Sequence, residues 1–196
     1  SLPTIQHLAA DARQSTAVRG SALEGLATLR SPTLTDAIEA ALAQKNEALR
    51  ATAIGLVGNL KTPDALKHIR NSLGAGSVPE KQMAFAALGG LNSGEADRIL
   101  DEWMKRLIAG NLAGPLQLDV LESAERRESK GLRKRVKDYQ RKVNAGGEFA
   151  PWKVALSGGN AERGQEIFKS RRDVQCSRCH KIDGSGGEAG PELTGI

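Results

Sequence analysis

The sequence has few aromatic residues and no long apolar run. Aromatic side chains make up 3% of its 196 residues, whereas hydrophobic residues make up 39%. This composition favours thin helices that pack through small side chains and argues against a thick aromatic core. No window approaches the ~18 consecutive apolar residues of a membrane-spanning helix. A basic-then-apolar signal peptide is also missing from the start. At this length we expect one long domain or two short ones.

The net charge of +5 is concentrated in one stretch of the chain. Residues 126–142 hold nine lysines and arginines against Glu128 and Asp138, a surplus of seven, so the remaining residues sum to −2. Apolar residues recur in this stretch at helical spacing, at Leu132, Val136, Tyr139 and Val143. Three interpretations follow, in decreasing order of preference. They are the solvated outer face of a packed helix, a docking surface for an acidic partner protein, and a nucleic-acid site, which lacks stacking aromatics other than Tyr139.

The first two-thirds of the chain contain an internal repeat. Three segments align without gaps at a constant offset of 31 residues: VRGSALEGLATL (18–29), LRATAIGLVGNL (49–60) and EKQMAFAALGGL (80–91). A small residue recurs at one position, as Ala22, Ala53 and Ala84, and apolar residues follow at helical spacing. Each segment is followed by a turn (RSPT, KTPD or NSGE) and a second helical run. A looser fourth unit begins near residues 115–127, and the basic stretch would form its second helix.

A period of ~30–45 residues with two helices in each unit is typical of solenoids. The register, the small residue in the first helix and the basic residue before it resemble HEAT repeats of the short kind, over about residues 2–143. We therefore expect an all-α fold, with an irregular helical bundle as the alternative. Residues 144–159 are predicted to form a linker, in which Phe149 and Trp152 pin the chain to a neighbouring domain. Residues 160–196 would form a second, small domain.

The motif CSRCH places Cys176, Cys179 and His180 in a C-x-x-C-H frame. Two thiols three positions apart can reach both vinyl groups on one edge of a porphyrin, and the adjoining histidine can then ligate the iron. The sequence thus predicts covalent attachment of haem c, through Cys176 and Cys179, with His180 as the proximal iron ligand.

Other chemistries remain open for these residues. A zinc site needs four ligands, and the other histidines, His7 and His68, lie far away in the repeats. A thioredoxin-like redox pair expects a βαβ neighbourhood, and a disulfide between the two cysteines would close a strained loop. We rank these three alternatives below haem.

The order of parts around the motif resembles class I cytochrome c domains. Gly164 and Phe168 stand in the preceding helix, and GPEL follows at residues 190–193. The resemblance implies that Gly164 permits a close helix crossing and that Phe168 packs under it. It also implies that the Pro191 carbonyl accepts the ring N–H of His180, with Leu193 at the haem edge. The second domain is therefore expected to be the N-terminal portion of a cytochrome c-like domain.

The combination of helical repeats and a short haem domain resembles the C-terminal part of PVC-type membrane-associated dehydrogenase-like proteins. The resemblance implies a fragment that begins inside the repeats, and an electron-transfer portion that is not an enzyme by itself. Its partner would be a redox protein or a preceding dehydrogenase domain, and its location would be periplasmic or at the cell surface. A structural scaffold with an empty C-x-x-C-H motif is the alternative function.

The sequence departs from the class I pattern after the histidine. Such cytochromes supply a methionine as the sixth iron ligand some 40 or so residues later, whereas 16 residues follow His180 here and none is methionine. Met83 and Met104 lie on apolar faces of the repeat helices and are expected to be core residues. We therefore expect the part of a haem site that attaches the haem and supplies the proximal ligand, without the part that supplies the sixth ligand. An open sixth position that binds a small ligand is a further interpretation.

Overall fold

The structure is a computed structural model that describes residues 1–60, 62–157, 161–171, 173 and 175–195, with the backbone alone at 62 and 161–163. Lys61 of the predicted KTPD turn lies outside the described residues, and so do residues 158–159 at the end of the predicted linker. The chain divides into two compact units, Ser1–Gly158 and Gly159–Ile196.

The first unit is a succession of paired helices. They are α1 (Leu2–Ala10), α2 (Thr16–Thr28), α3 (Leu34–Leu42), α4 (Glu47–Leu56), α5 (Thr62–Ala75), α6 (Val78–Gly90), α7 (Gly94–Ala109), α8 (Gly114–Glu125) and α9 (Lys130–Asn144). Short 3-10 helices occupy Val57–Asn59 and Ala150–Leu156. The first helices of successive pairs stack as α2 on α4, α4 on α6 and α6 on α8. This stacking agrees with the all-α repeat fold predicted from the 31-residue offset. No helix among the described residues is long and apolar enough to cross a bilayer.

The recurring alanine marks the tightest packing between neighbouring repeats. Ala22, Ala53 and Ala84 are 7%, 0% and 0% exposed, so the predicted equivalence of these positions is confirmed. A Cβ at Gly55 would stand 2.3 Å from Cε of Met83, the flexible end of that side chain, which would have to move aside. Small residues at these points allow the first helices to approach each other closely.

The predicted helix over residues 49–60 changes type before its end. α4 stops at Leu56, and a 3-10 turn, Val57–Asn59, continues the chain. Gly58 and Asn59 are weak helix formers, and 3-10 turns are common at the ends of α-helices. Val57 is nevertheless fully buried, so the register of the repeat is preserved.

Side-chain caps and one ion pair fix the start of the repeat helices. Ser15, Asn46 and Ser77 accept hydrogen bonds from the first turns of α2, α4 and α6. Glu80 completes a capping box with Ser77 and receives a two-pronged hydrogen bond from Arg50 of the preceding repeat. The guanidinium of Arg50 lowers the pKa of Glu80 to about 2. This ion pair joins two successive repeats. In the sequence its two members are distant charges with no visible relation.

The basic helix α9 closes the array as predicted. Leu132, Val136 and Tyr139 are 1%, 8% and 8% exposed and belong to the common core. Lys134 and Lys137 are exposed on the opposite side. The helix packs on α7 and α8. Its apolar residues therefore cover the last repeat, while its cations other than Arg135 are exposed to solvent.

The predicted linker is more ordered than expected. Its 3-10 helix, Ala150–Leu156, packs on α8 and α9 and buries Val154 to 7% exposure. Phe149 and Trp152, which were expected to pin this segment, are 74% and 71% exposed. That expectation was wrong, because the segment turns its small aliphatic residue inward and both aromatic rings outward.

The second unit is short and has little regular structure. It contains α10 (Ala161–Ser170), α11 (Cys176–Cys179) and an antiparallel pair of strands, β1 (Lys181–Ile182) and β2 (Ser185–Gly186). The hairpin departs from the all-α expectation. Its turn residues, Asp183 and Gly184, have φ angles of 49° and 75°, as an Asp-Gly hairpin turn requires.

Candidate functional site

The two cysteines lie at the ends of a single helical turn. Gln175 starts the turn with φ 47° and ψ 40°, and the His180 N–H donates to the Cys176 carbonyl at 3.0 Å. Both cysteines are free thiols; Cys176 is half-buried and Cys179 is exposed. Residues three apart on one turn of helix lie on the same side of it. Both thiols therefore point to one side of the turn that the histidine follows.

The imidazole of His180 is held by a backbone carbonyl. Its Nδ1 lies 2.9 Å from the carbonyl oxygen of Pro191. A carbonyl can only accept a hydrogen bond, so the ring proton of the neutral imidazole is on Nδ1 and the Nε2 lone pair is left available. Such an outer hydrogen bond is the usual way in which a protein orients a metal-ligating histidine.

The ring of His180 also lies against Gly190, where a side chain would displace the ring. A Cβ at Gly190 would stand 2.6 Å from Cε1 and 2.8 Å from Nδ1 of the imidazole. The Gly190 N–H donates to the carbonyl of Cys179 at 2.7 Å. Gly190 therefore links the cysteine turn to the histidine ring, and its missing side chain makes room for that ring.

Further backbone hydrogen bonds close the segment 175–195, which we call the CxxCH loop. Gly187 N–H donates to the Ser177 carbonyl at 2.9 Å, and Leu193 N–H donates to the Lys181 carbonyl at 2.8 Å. A Cβ at Gly187 would stand 2.0 Å from the Arg178 carbonyl oxygen. These contacts fold the chain back over the cysteine turn and hold Pro191 beside the histidine.

A threonine completes the loop. The Asp183 N–H donates to Oγ1 of Thr194 at 2.8 Å, and this hydroxyl donates in turn to Glu192 at 2.8 Å. Neither Thr194 nor Gly190 was predicted to be a site residue, although Gly190 opens the GPEL stretch. The Gly-Gly and Gly-Pro dipeptides near them signal tight turns, but the contacts themselves are set by the three-dimensional path of the loop.

The remaining predicted site residues have less defined roles. Phe168 on α10 and Leu193 in the CxxCH loop are both half-buried. Gly164 is exposed, and a Cβ there would meet no atom within 4 Å. The close helix crossing that the resemblance implied at Gly164 therefore has no counterpart among the described residues.

The other candidate iron or metal ligands are engaged in the first unit. Met104 is fully buried in the repeat core, and Met83 packs partly buried against the same core. His68 Nε2 lies 2.8 Å from a carboxylate oxygen of Glu39. Among the described residues, no group of three or more histidine, cysteine and acidic side chains is arranged to hold a metal ion. The zinc alternative thus finds no ligand cluster in the described part of the chain.

Comparison with known proteins informs the first unit. The family model of HEAT repeats matches residues 3–89, which cover α1 to α5 and nearly all of α6. No curated protein and no solved structure matched the chain. Residues 3–89 are thus similar to HEAT repeats in sequence as well as in their paired helices.

Proposed function

We propose that this helical-repeat protein carries one covalently attached haem c on its CxxCH loop and serves in electron transfer. The contact between His180 Nδ1 and the Pro191 carbonyl is the observation that carries the proposal. It fixes the imidazole in the tautomer that can ligate iron, directly after a turn bearing two free thiols.

The residues of the loop fit the chemistry of haem attachment. Each thiol, of Cys176 and of Cys179, would add across one vinyl group. Sulfur would bond to one vinyl carbon and the hydrogen would go to the other, so that no oxidant or reductant is consumed. His180 would offer Nε2 to the iron, and Gly190 and Pro191 would keep the ring in place.

The bound group would supply a metal centre that gains and loses a single electron. The chain's own residues would hold that group, while any oxidation of an organic substrate would take place in a dehydrogenase domain or a partner protein. Haem c is attached outside the cytoplasm in bacteria, so the proposal implies a periplasmic or cell-surface protein. A redox protein would be its partner.

Haem retention under denaturing conditions tests the proposal. The protein is produced in a bacterial strain that matures c-type cytochromes, extracted with acidified acetone and assayed as its pyridine haemochrome. We expect the colour to stay with the protein, to fall strongly in Cys176→Ala and Cys179→Ala, and to vanish in the double variant. Ser177→Ala, between the two thiols, is the matched control and should retain full colour. Colourless protein from a strain that loads another c-type cytochrome would refute the proposal.

A scaffold function without haem is the second candidate. The HEAT-repeat match at residues 3–89 supports it directly, because stacked repeats present extended surfaces to partner proteins. In that case the CxxCH loop is an unloaded structural element. Wild-type protein would then be as colourless as the double cysteine variant, while its repeats would be folded.

A further inference from the structure

The outer side of α9 carries a continuous stripe of cations. Its exposed basic residues recur at spacings of three and four, at Lys130, Arg133, Lys134, Lys137 and Arg141. Such spacing places them on one face of the helix over a length of about 16 Å, at 1.5 Å per residue. Gln140 and Asn144 extend the same face, so the stripe is polar along its whole length.

Most of this charge is not neutralised within the protein. Two carboxylates of α7 pair with arginines that are not part of the stripe. Asp97 pairs with Arg127, which precedes α9, at 2.7 Å, and Asp101 pairs with Arg135 at 2.6 Å. Among the described residues, no carboxylate lies within ion-pair distance of Lys130, Lys134 or Lys137.

The charge of the stripe is therefore available to an external partner. Within the described ranges, Arg141 is the one residue of the stripe that has a carboxylate partner, Asp138.

An exposed apolar cluster follows α9 in the same unit. Phe149, Trp152 and Leu156 are 74%, 71% and 83% exposed. They flank or belong to the 3-10 helix Ala150–Leu156, which packs directly on α9. Three large apolar side chains exposed within one short segment exceed the scattered single exposure that is normal on a protein surface, and such exposure marks interaction sites.

We propose that the basic stripe of α9 and this apolar cluster together bind an acidic segment of a partner protein that carries apolar side chains. The two parts correspond to two components of protein interfaces, which are apolar anchors that supply most of the binding energy and charged residues outside them. The positive stripe would steer the acidic segment, and the cluster would hold its apolar side chains. The site belongs to the first unit and requires no haem.

Two other classes of partner fit the surface less well. An interfacial membrane helix carries its apolar and basic residues on the two sides of one helix, whereas the exposed face of α9 is purely polar and the apolar cluster is separate. A single-stranded nucleic acid is bound in a basic groove lined by stacking aromatics. Here Tyr139, the aromatic residue of α9, is buried, and the exposed rings of Phe149 and Trp152 stand at the 3-10 helix rather than along the basic stripe. Both classes are retained as arms of the test.

Two fluorescein-labelled acidic peptides of equal length and charge test the proposal on the full chain. One peptide alternates glutamate pairs with leucine pairs, and the other has serine in place of leucine. Anisotropy titration should show at least tenfold tighter binding of the leucine peptide. Phe149→Ser combined with Leu156→Ser should reduce its affinity to that of the serine peptide. Equal binding of both peptides to the wild-type protein would overturn the proposal.

Charge reversal tests the stripe separately. Lys134→Glu with Lys137→Glu should weaken both peptides at least tenfold and flatten the dependence of affinity on salt. Lys45→Glu with Lys67→Glu makes the same change in net charge at two exposed lysines elsewhere and should change affinity less than twofold. An equal loss in both double variants would show a nonspecific charge effect and overturn the proposal.

Competition identifies the class of partner. A 20-nucleotide single strand or vesicles of phosphatidylglycerol and phosphatidylcholine should displace the leucine peptide only weakly at 0.15 M salt. Displacement by either competitor at lower concentration than unlabelled leucine peptide would overturn the assignment to a protein partner. The titrations are run on haem-loaded and haem-free protein. Equal affinities are expected, so failure of the haem proposal leaves this result intact.

Discussion

In the first unit Leu26, Ile38 and Phe85 are fully buried, whereas no described side chain of the second unit is buried. The first unit is a stack of helices with one continuous apolar core. The second unit is held by backbone hydrogen bonds around His180 and by glycines that allow close approach, such as Gly190. The first unit is stabilised by the burial of apolar side chains, and the second by hydrogen bonds between backbone groups.

This difference indicates what each unit requires to be stable. A segment as short as the second unit buries too little apolar surface to be stable without a cross-link, a metal or another group to pack against. Its two free thiols and its oriented imidazole are suited to such a group. The repeats need no such aid. Changes in the repeat core should therefore alter stability alone, and changes in the CxxCH loop should alter haem attachment alone.

The largest effect is expected from a cavity in the repeat core. Phe85 is fully buried and meets Trp103 edge to face, with ring centroids 5.1 Å apart. Phe85→Ala should lower the free energy of unfolding by about 3–5 kcal/mol in urea denaturation. Phe149→Ala, at a site that is 74% exposed, is the control and should change it by less than about 0.5 kcal/mol. An equal loss of unfolding free energy in the two variants would contradict the assignment of Phe85 to the core.

Overpacking between repeats should have the next largest effect. Ala53 is fully buried where α4 stacks on its neighbours. Ala53→Leu should cost roughly 1–3 kcal/mol, because the neighbouring helices must move apart. Ala48→Leu, at an exposed position of the same helix, is the matched control and should be nearly neutral by thermal denaturation. A neutral Ala53→Leu would show that the recurring alanine does not mark a close contact.

Removing the ion pair between repeats should cost less and should depend on pH. Arg50 lowers the pKa of Glu80 from 4.5 to about 2. The carboxylate therefore stabilises the folded chain above its unfolded-state pKa, and this contribution is lost as the pH falls toward 2. Glu80→Gln should cost about 1–2 kcal/mol at pH 7. Unfolding curves of wild type and variant should converge between pH 4.5 and 2; a constant difference would argue against the pair.

The smallest effect on stability is expected at Gly190, although the effect on haem should be large. A Cβ there would overlap the His180 ring. Gly190→Ala should reduce haem attachment at least fivefold, and the free energy of unfolding of the repeats should change by less than about 0.5 kcal/mol. Gly164→Ala, in α10 with nothing within 4 Å of its Cβ position, is the control and should load normally. Full haem attachment in Gly190→Ala would show that the missing side chain of Gly190 is not required for the haem site.

The repeats could be predicted from the sequence because their signal is redundant. The constant offset aligns Ala22, Ala53 and Ala84, and all three are buried. The pair between Arg50 and Glu80 was not predicted, since their charges meet only when one repeat stacks on the next, 30 residues apart in the chain. Local spacing alone does not show such contacts.

Predictions for single positions in irregular segments were less successful. Phe149 and Trp152 were expected to be packed because they are large and apolar, yet Val154 is the buried residue of their segment. A 3-10 helix buries one narrow side, and the sequence does not show which residues will face it. The cysteine turn was recognised from its spacing, whereas the place of Gly190 beside the imidazole depends on the path of the whole CxxCH loop.

Intact-protein mass spectrometry under denaturing conditions tests the central claim most directly. Protein from a strain that matures c-type cytochromes should carry the added mass of one haem after acid denaturation. After proteolysis, the haem should remain on a peptide that contains Cys176 and Cys179. The double Cys→Ala variant should have the mass of its polypeptide alone. Wild-type protein at its bare polypeptide mass, made beside a cytochrome that the same cells load fully, would contradict the account and leave a helical-repeat scaffold.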